Sequence, residues 1–160
     1  VSAAEQEIDE DEGAKLALGR VLAVDLGDKR IGLAVSDALG LTAQGIETLE
    51  RRGDKKDIEA LRSACAEREV VRIIVGLPRN MDGSEGPRAQ KSRSFARKLH
   101  EAVGLPVYLW DERLSTAEAE RVLIAADVSR QKRKLVIDRM AAQVILQGYL
   151  EAGRPEVDPA

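Results

Sequence analysis

The sequence predicts an α/β domain in which one mixed five-stranded sheet is covered by helices: a three-strand meander comes first, then alternating helices and strands. Three observations predict it. Apolar runs without alternation, at residues 21–24 and 70–75, read as strands buried on both faces. A turn-rich link joins the first of these runs directly to its return strand. Later runs are separated by stretches of helical spacing, which call for crossover connections and a layer of helices.

Each element follows in order. Residues 21–24 form the first run, Asp25 comes at once after it, 26–30 is the turn and 31–35 the return strand. Residues 44–49 make the third strand of the meander. Residues 54–68 are helical, because Ile58, Leu61 and Cys65 share one face. The strand at 70–75 ends at Gly76, and 77–86 (LPRNMDGSEG) is a loop. Pro87 suits the first turn of the next helix, which runs to about residue 103 and stops at Gly104. Residues 107–110 are a short strand. Ser115, with Glu118 three residues on, forms a capping box opening a helix to about residue 125. A basic link at 129–134 leads to a last helix from about 135 to 151, and Gly153 and Pro155 end the ordered part. The order is β-β-β-α-β-α-β-α-α.

With 160 residues, 44% of them hydrophobic, the chain has one domain's worth of core. No run approaches the roughly 18 apolar residues of a membrane helix. The N-terminus is acidic and lacks the basic-then-apolar pattern of a signal peptide. One cysteine, Cys65, rules out an internal disulfide or a paired-cysteine zinc site. A cytoplasmic setting fits. The net charge of −3 conceals a division, because residues 1–13 hold six acids and no base. Taking those six from the chain's 28 acids leaves its 25 bases in excess by three. The organisation expected is an acidic, disordered tail at 1–18, a mildly basic domain at 19–152, and a C-terminal tail at 153–160.

Three carboxylate positions stand out. Asp25 ends a buried strand, where an ionised group is costly unless paired or metal-bound. Asp111 and Glu112 end another strand, and alternation sends them to opposite faces, so one of the two is expected at a shared site. Asp138 lies on the last helix, on a face with Ala141, Ala142, Ile145 and Tyr149. Each has a plainer reading: Asp25 as a turn cap, Asp111 or Glu112 paired with Arg113, Asp138 paired with Arg139 or Arg130. Gathered at one sheet edge, three acids repel one another, and a divalent cation removes the conflict. An oxygen-only set suits Mg²⁺ or Mn²⁺, which can activate water against a phosphodiester.

Bases accompany the acids. Arg130, Lys132, Arg133 and Lys134 precede Asp138, and Arg88 and Lys91 open the middle helix, which also carries Arg93, Arg97 and Lys98. Lys29 and Arg30 occupy the first turn, Asn80 the loop, and Arg113 the strand end. A basic rim suits a polyanion, so Lys29, Arg30, Asn80, Arg88, Lys91, Arg113 and the 130–134 cluster are the candidate nucleic-acid contacts. Aromatic residues are only 2%, which favours recognition of backbone and shape over base stacking. His100 is the one histidine, so zinc clusters and serine triads are out. Neither a GxxxxGK[ST] loop nor a GxGxxG fingerprint occurs.

Taken together, VDLGDKRIGLAVSD, IIVGLPRNMDGSEGP, WDERLST and VIDRMAAQVIL resemble the YqgF/RuvX family across roughly residues 19–152. The resemblance implies an RNase H-like fold and a nuclease, one that either matures the 5′ end of precursor 16S ribosomal RNA or resolves Holliday junctions. It implies Asp25, Glu112 and Asp138 as catalytic residues and as ligands of Mg²⁺ or Mn²⁺, and so selects Glu112 over Asp111. It gives the loop Asn80-Met81-Asp82-Gly83 a supporting role near substrate. Asp28 departs from the small or hydroxyl residue common at that position in the family. Structured RNA or branched DNA, ribosomal precursor particles and a second copy of the chain are the partners expected, and a membrane is not. Two other readings compete: a non-catalytic, nucleic-acid-binding ribosome-assembly factor, and a nucleotide-binding kinase or ATPase built on the Asp25-Leu26-Gly27 turn. The second needs a further related domain and a longer chain.

Overall fold

The computed structural model describes residues 19–160; the acidic tail expected at 1–18 lies outside the described residues. Five strands form one sheet: β1 (Arg20–Leu26), β2 (Arg30–Ser36), β3 (Ala43–Glu50), β4 (Val70–Leu77) and β5 (Val107–Asp111). Their order is β3-β2-β1-β4-β5. β1–β2 and β2–β3 are antiparallel, whereas β1–β4 and β4–β5 are parallel, so the expected meander and crossovers are both present. The helices are α1 (Asp54–Glu67), α2 (Pro87–Val103), α3 (Glu112–Ala125), α4 (Arg130–Arg139) and α5 (Ala141–Glu151).

Alternation along the strands divides the core in two. Leu22, Val24, Ile73 and Val75 face α1 and α2, meeting Ile58, Leu61, Phe95 and Leu99. Val21, Ala23, Ala34 and Ile74 face α5, meeting Ala142, Ile145, Leu146 and Tyr149. Residues 21–24 are fully buried, as a strand covered on both faces requires. Cys65 belongs to the first core, where burial pushes its thiol up to about 11. His100 serves a helix end: its Nδ1–H donates to the Leu105 carbonyl at 2.8 Å.

Three sequence expectations are corrected. First, α3 begins at Glu112, not at a capping box on Ser115. Asp111 is the N-cap, accepting from the Arg113 amide, and a helix can start there because the strand ends in a residue with a short side-chain acceptor. Ser115 is instead buried, accepting from Trp110 Nε1 at 2.8 Å. Second, the basic link at 129–134 is mostly helix. Ser129 caps it through the Lys132 amide, and the expected last helix breaks at Met140 (φ −110°, ψ 22°). The break separates α4, which buries no side chain, from α5, which packs on the sheet. Third, order continues past Gly153. Asp158 accepts from the Leu109 amide at 3.0 Å, and Ala160 donates to Val107 at 2.9 Å, so the C-terminal segment covers the edge of β5.

Candidate active site

The three parallel strands end at one edge of the sheet. The parity that turns Val21, Ala23, Ile74 and Trp110 toward α5 turns Asp25, Gly76 and Glu112 the same way. β4 lies between β1 and β5, so a side chain from the end of β5 must cross β4 to approach β1. Gly76 leaves that path open. A Cβ built on Gly76 would stand 2.5 Å from Glu112 Oε1 and 3.0 Å from Glu112 Cγ. No alternative small residue would suffice, because even alanine carries that carbon.

The two carboxylates influence each other in this gap. The Glu112 carboxyl is pushed up to about 7, first by burial and then by the charge of Asp25, with Arg88 pulling the other way. Asp25 is raised for like reasons: burial first, opposed by Arg88, then the charge of Asp138. Arg88 stands in the first turn of α2 and forms no ion pair among the described residues, so its charge is available to the pair. Asp138, exposed in the last turn of α4, lines a groove of about 880 Å³ with Asp25, Lys29, Arg30 and Arg139. It forms no ion pair among the described residues, so neither Arg130 nor Arg139 neutralises it. Gly32 opposes Asp25 on β2 and lines the same groove, where a Cβ would stand 3.5 Å from Asp25 Cβ and 3.6 Å from Ala142 Cβ.

The sequence-selected groups therefore divide. Asp25, Glu112, Asp138, Arg88, Lys29 and Arg30 share one neighbourhood. Lys91 lies beside it, with Arg88 in a cleft across the Gly27 turn. Arg113 is engaged in structure, gripping Asp111 at 2.7 Å and donating to the Asn80 and Met81 carbonyls at 3.3 Å. Asn80 closes its own loop onto Ser84. Arg133 donates to the Val128 carbonyl at 2.8 Å, whereas Arg130, Lys132 and Lys134 are exposed along α4. Asp28 is exposed on the turn, in the Lys91 cleft and not in the groove with Asp25.

Sequence reasoning missed the support beneath the turn. Arg51 donates to the Gly27 carbonyl at 3.0 Å, to Asp57 at 2.8 Å and to Asp54 at 2.7 Å, while its guanidinium lies over the Phe95 ring. Asp57 is buried. The available signal was its spacing: Asp57 is four residues before Leu61, on the apolar face of α1.

Among the described residues, no three carboxylate, imidazole or thiol side chains are close enough to hold a metal ion. Asp25 thus feels the charge of Asp138 and imposes its own on Glu112, but the three do not close a cage. The donor chemistry nevertheless fits a hard divalent cation: all oxygen, with two desolvated carboxylates whose mutual repulsion is only partly met by Arg88.

The mixed sheet, its order and its crossovers define an RNase H-like fold. Among solved structures, Thermus thermophilus RuvC in complex with a Holliday junction substrate matches with a TM-score of 0.59. That match is 11% identical and covers 89% of this chain and 99% of the other. A second Thermus thermophilus RuvC structure gives 0.53, at 14% identity over 88% and 99%. The particular family is fixed by sequence. The model described as "RuvX: Holliday junction resolvase" matches residues 19–152, and the chain belongs to that family. A Myxococcus xanthus protein named "Putative pre-16S rRNA nuclease" is 58% identical over 136 residues, 85% of this chain and 90% of its own. A Halothermothrix orenii protein of the same name is 57% identical over 131 residues, 82% and 94% of the two chains.

Proposed function

We propose that this protein is a divalent-metal-dependent nuclease of the cytoplasm that hydrolyses phosphodiesters at the 5′ end of precursor 16S ribosomal RNA. One observation carries the reading: Glu112 lies over Gly76 within the field of Asp25, and both carboxyls are raised while Arg88 opposes their charge. The relatives' names favour RNA as substrate. The family's description favours a second substrate, branched DNA.

Asp25 and Glu112 would hold Mg²⁺ or Mn²⁺, with Asp138 as the third ligand from α4. Bound there, the ion would activate water for in-line attack and stabilise the departing oxygen. Arg88 offsets the charge of the carboxylate pair and offers a cation to the phosphate. Lys29, Arg30 and Arg139 line the groove and attract the sugar–phosphate backbone without reading bases. The near absence of aromatic side chains agrees with that division of labour.

The test compares purified wild type with Asp25→Asn on a precursor ribosomal RNA fragment and a synthetic four-way DNA junction, in Mg²⁺, Mn²⁺ or EDTA. Cleavage that disappears both in EDTA and in the variant is expected, with RNA preferred. Full activity in a folded Asp25→Asn protein would sink the mechanism. Tight binding without cleavage under every condition would select the assembly-factor reading.

A further inference from the structure

The loop Pro78–Gly86 is tied at both ends to the C-terminal segment. Arg93, on α2, donates to both oxygens of Glu85 at 2.5 and 2.9 Å. Its other edge grips both oxygens of Asp158 at 2.9 Å. Arg79, near the start of the same loop, reaches Glu85 at 3.7 Å and Asp158 at 3.8 Å. Its Nε is buried with no hydrogen-bond partner among the described residues, and its charge also acts on Asp111. The Asp158 backbone is itself fixed, its carbonyl accepting from the Leu109 amide.

Covering the β5 edge requires only the backbone bonds of residues 158–160. The side-chain network reaches further, to Glu85 in the loop after β4 and to Arg93 on α2. A single exposed ion pair contributes little, but a network of two-point guanidinium–carboxylate contacts holds geometry. Glu85 is followed by Gly86 and then by α2, whose first turn carries Arg88. The loop's other face is held by Arg113 through the Asn80 and Met81 carbonyls. The family match ends at residue 152, so the anchor comes from outside the matched span.

We propose that Asp158 is a positioning residue: through Arg93, Arg79 and Glu85 it sets the loop Pro78–Gly86 and the α2 terminus that presents Arg88 to the site. The functional half of this inference rests on the nuclease reading above; the positional half does not.

The experiment uses the full chain with Asp158→Asn and Asp158→Glu. Hydrogen exchange is followed by mass spectrometry, together with KM and kcat on the precursor RNA fragment and Kd for the same fragment in EDTA. In Asp158→Asn, exchange over residues 78–88 is expected to quicken about tenfold while β1 and β4 keep their protection. KM and Kd are expected to rise by about the same factor with kcat little changed, because only presentation of the substrate contacts is disturbed. Asp158→Glu, which keeps the charge, should recover part of each effect. Unchanged exchange over 78–88 overturns the inference. So does faster exchange spread evenly through the core, or a quickened loop with KM and Kd unaltered. If wild type binds RNA without cleaving it, the nuclease reading fails while exchange and Kd still decide the role of Asp158.

Discussion

Glu112 lies over Gly76 so closely that a methyl group there would stand 2.5 Å from its Oε1 and 2.7 Å from Ile145 Cδ1. The absent side chain on β4 is what lets acids from the two flanking strands approach one another. Gly76→Ala therefore has two expected effects. Overpacking should cost about 1–3 kcal/mol, measured by urea unfolding. Displacing Glu112 should also move its titration midpoint down from about 7 toward the ordinary 4.5, followed by carboxyl NMR. A midpoint that stays near 7 in the variant would show that the gap does not place the carboxylate.

The raised Glu112 carboxyl gives the metal-free fold a defined pH dependence. Below about 4.5 the group is protonated in both folded and unfolded chains, and its contribution to stability is fully present. Between about 4.5 and 7 the folded protein keeps a proton that the unfolded chain releases. Stability therefore falls as pH rises, by about 3 kcal/mol across the window. The readout is the difference between wild type and Glu112→Gln in chemical denaturation with EDTA present. The variant should lack this part of the slope, and parallel curves from pH 4.5 to 7.5 would contradict the assignment.

Much of this site was legible in the sequence because strand ends are. Asp25 and Glu112 each follow an unbroken apolar run, and such runs mark central strands whose ends meet at one edge. Parity allowed only one of Asp111 and Glu112 to face the site, and the family resemblance chose Glu112. In the structure Glu112 lies over Gly76, on the face of Trp110, and Asp111 turns away to cap α3. The role of Gly76 was hidden, because a strand-ending glycine reads equally well as a turn. The break at Met140 was hidden too. No glycine or proline marks it, and it arises from two helices packing on different partners. The C-terminal anchor through Asp158 was missed because Gly153 and Pro155 carry the ordinary signature of a chain end.

Arg88 is the cation that moderates both acids. Arg88→Gln should raise the midpoints of Asp25 and Glu112 above their wild-type positions, since burial would then act with less opposition. RNA affinity at low salt should weaken, and the slope of log Kd against log salt should flatten by about one phosphate contact. Titration by carboxyl NMR and binding at several salt concentrations check the two halves separately. Unmoved midpoints would mean that Arg88 points away from the pair in solution.

A cation relieves a repulsion that protonation now relieves. Adding Mn²⁺ or Mg²⁺ to metal-free protein at pH 8 should stabilise the fold, by about 3 kcal/mol at a hundred times its dissociation constant. Binding should release protons and strengthen with pH, because Glu112 must ionise to act as a ligand. Asp25→Asn should abolish the stabilisation without lowering intrinsic stability. Equal stabilisation of wild type and Asp25→Asn would place the bound metal elsewhere. Asp138→Asn gives a separate measure: weaker metal binding is expected, since Asp138 is exposed on α4 and lies across the groove from Asp25.

Arg51 connects fold stability to the site. Its guanidinium holds the Gly27 carbonyl of the β1–β2 turn and neutralises Asp57, which is only 3% exposed. Removing Arg51 leaves a buried carboxylate without its cation, a loss of about 3–5 kcal/mol by comparison with other broken buried pairs. Arg51→Ala should therefore be strongly destabilised in urea. Arg51→Lys should restore part of the stability, because one ammonium cannot serve Gly27, Asp54 and Asp57 together. The double variant Arg51→Ala with Asp57→Asn separates the two roles. Deleting the charge on both sides should recover much of the stability, yet the turn carrying Lys29 and Arg30 would still lack its tie through Gly27. The double variant should then fold well and bind RNA less tightly than wild type. Wild-type affinity in that protein would show that Arg51 supports the core alone and that the turn holds its shape without it.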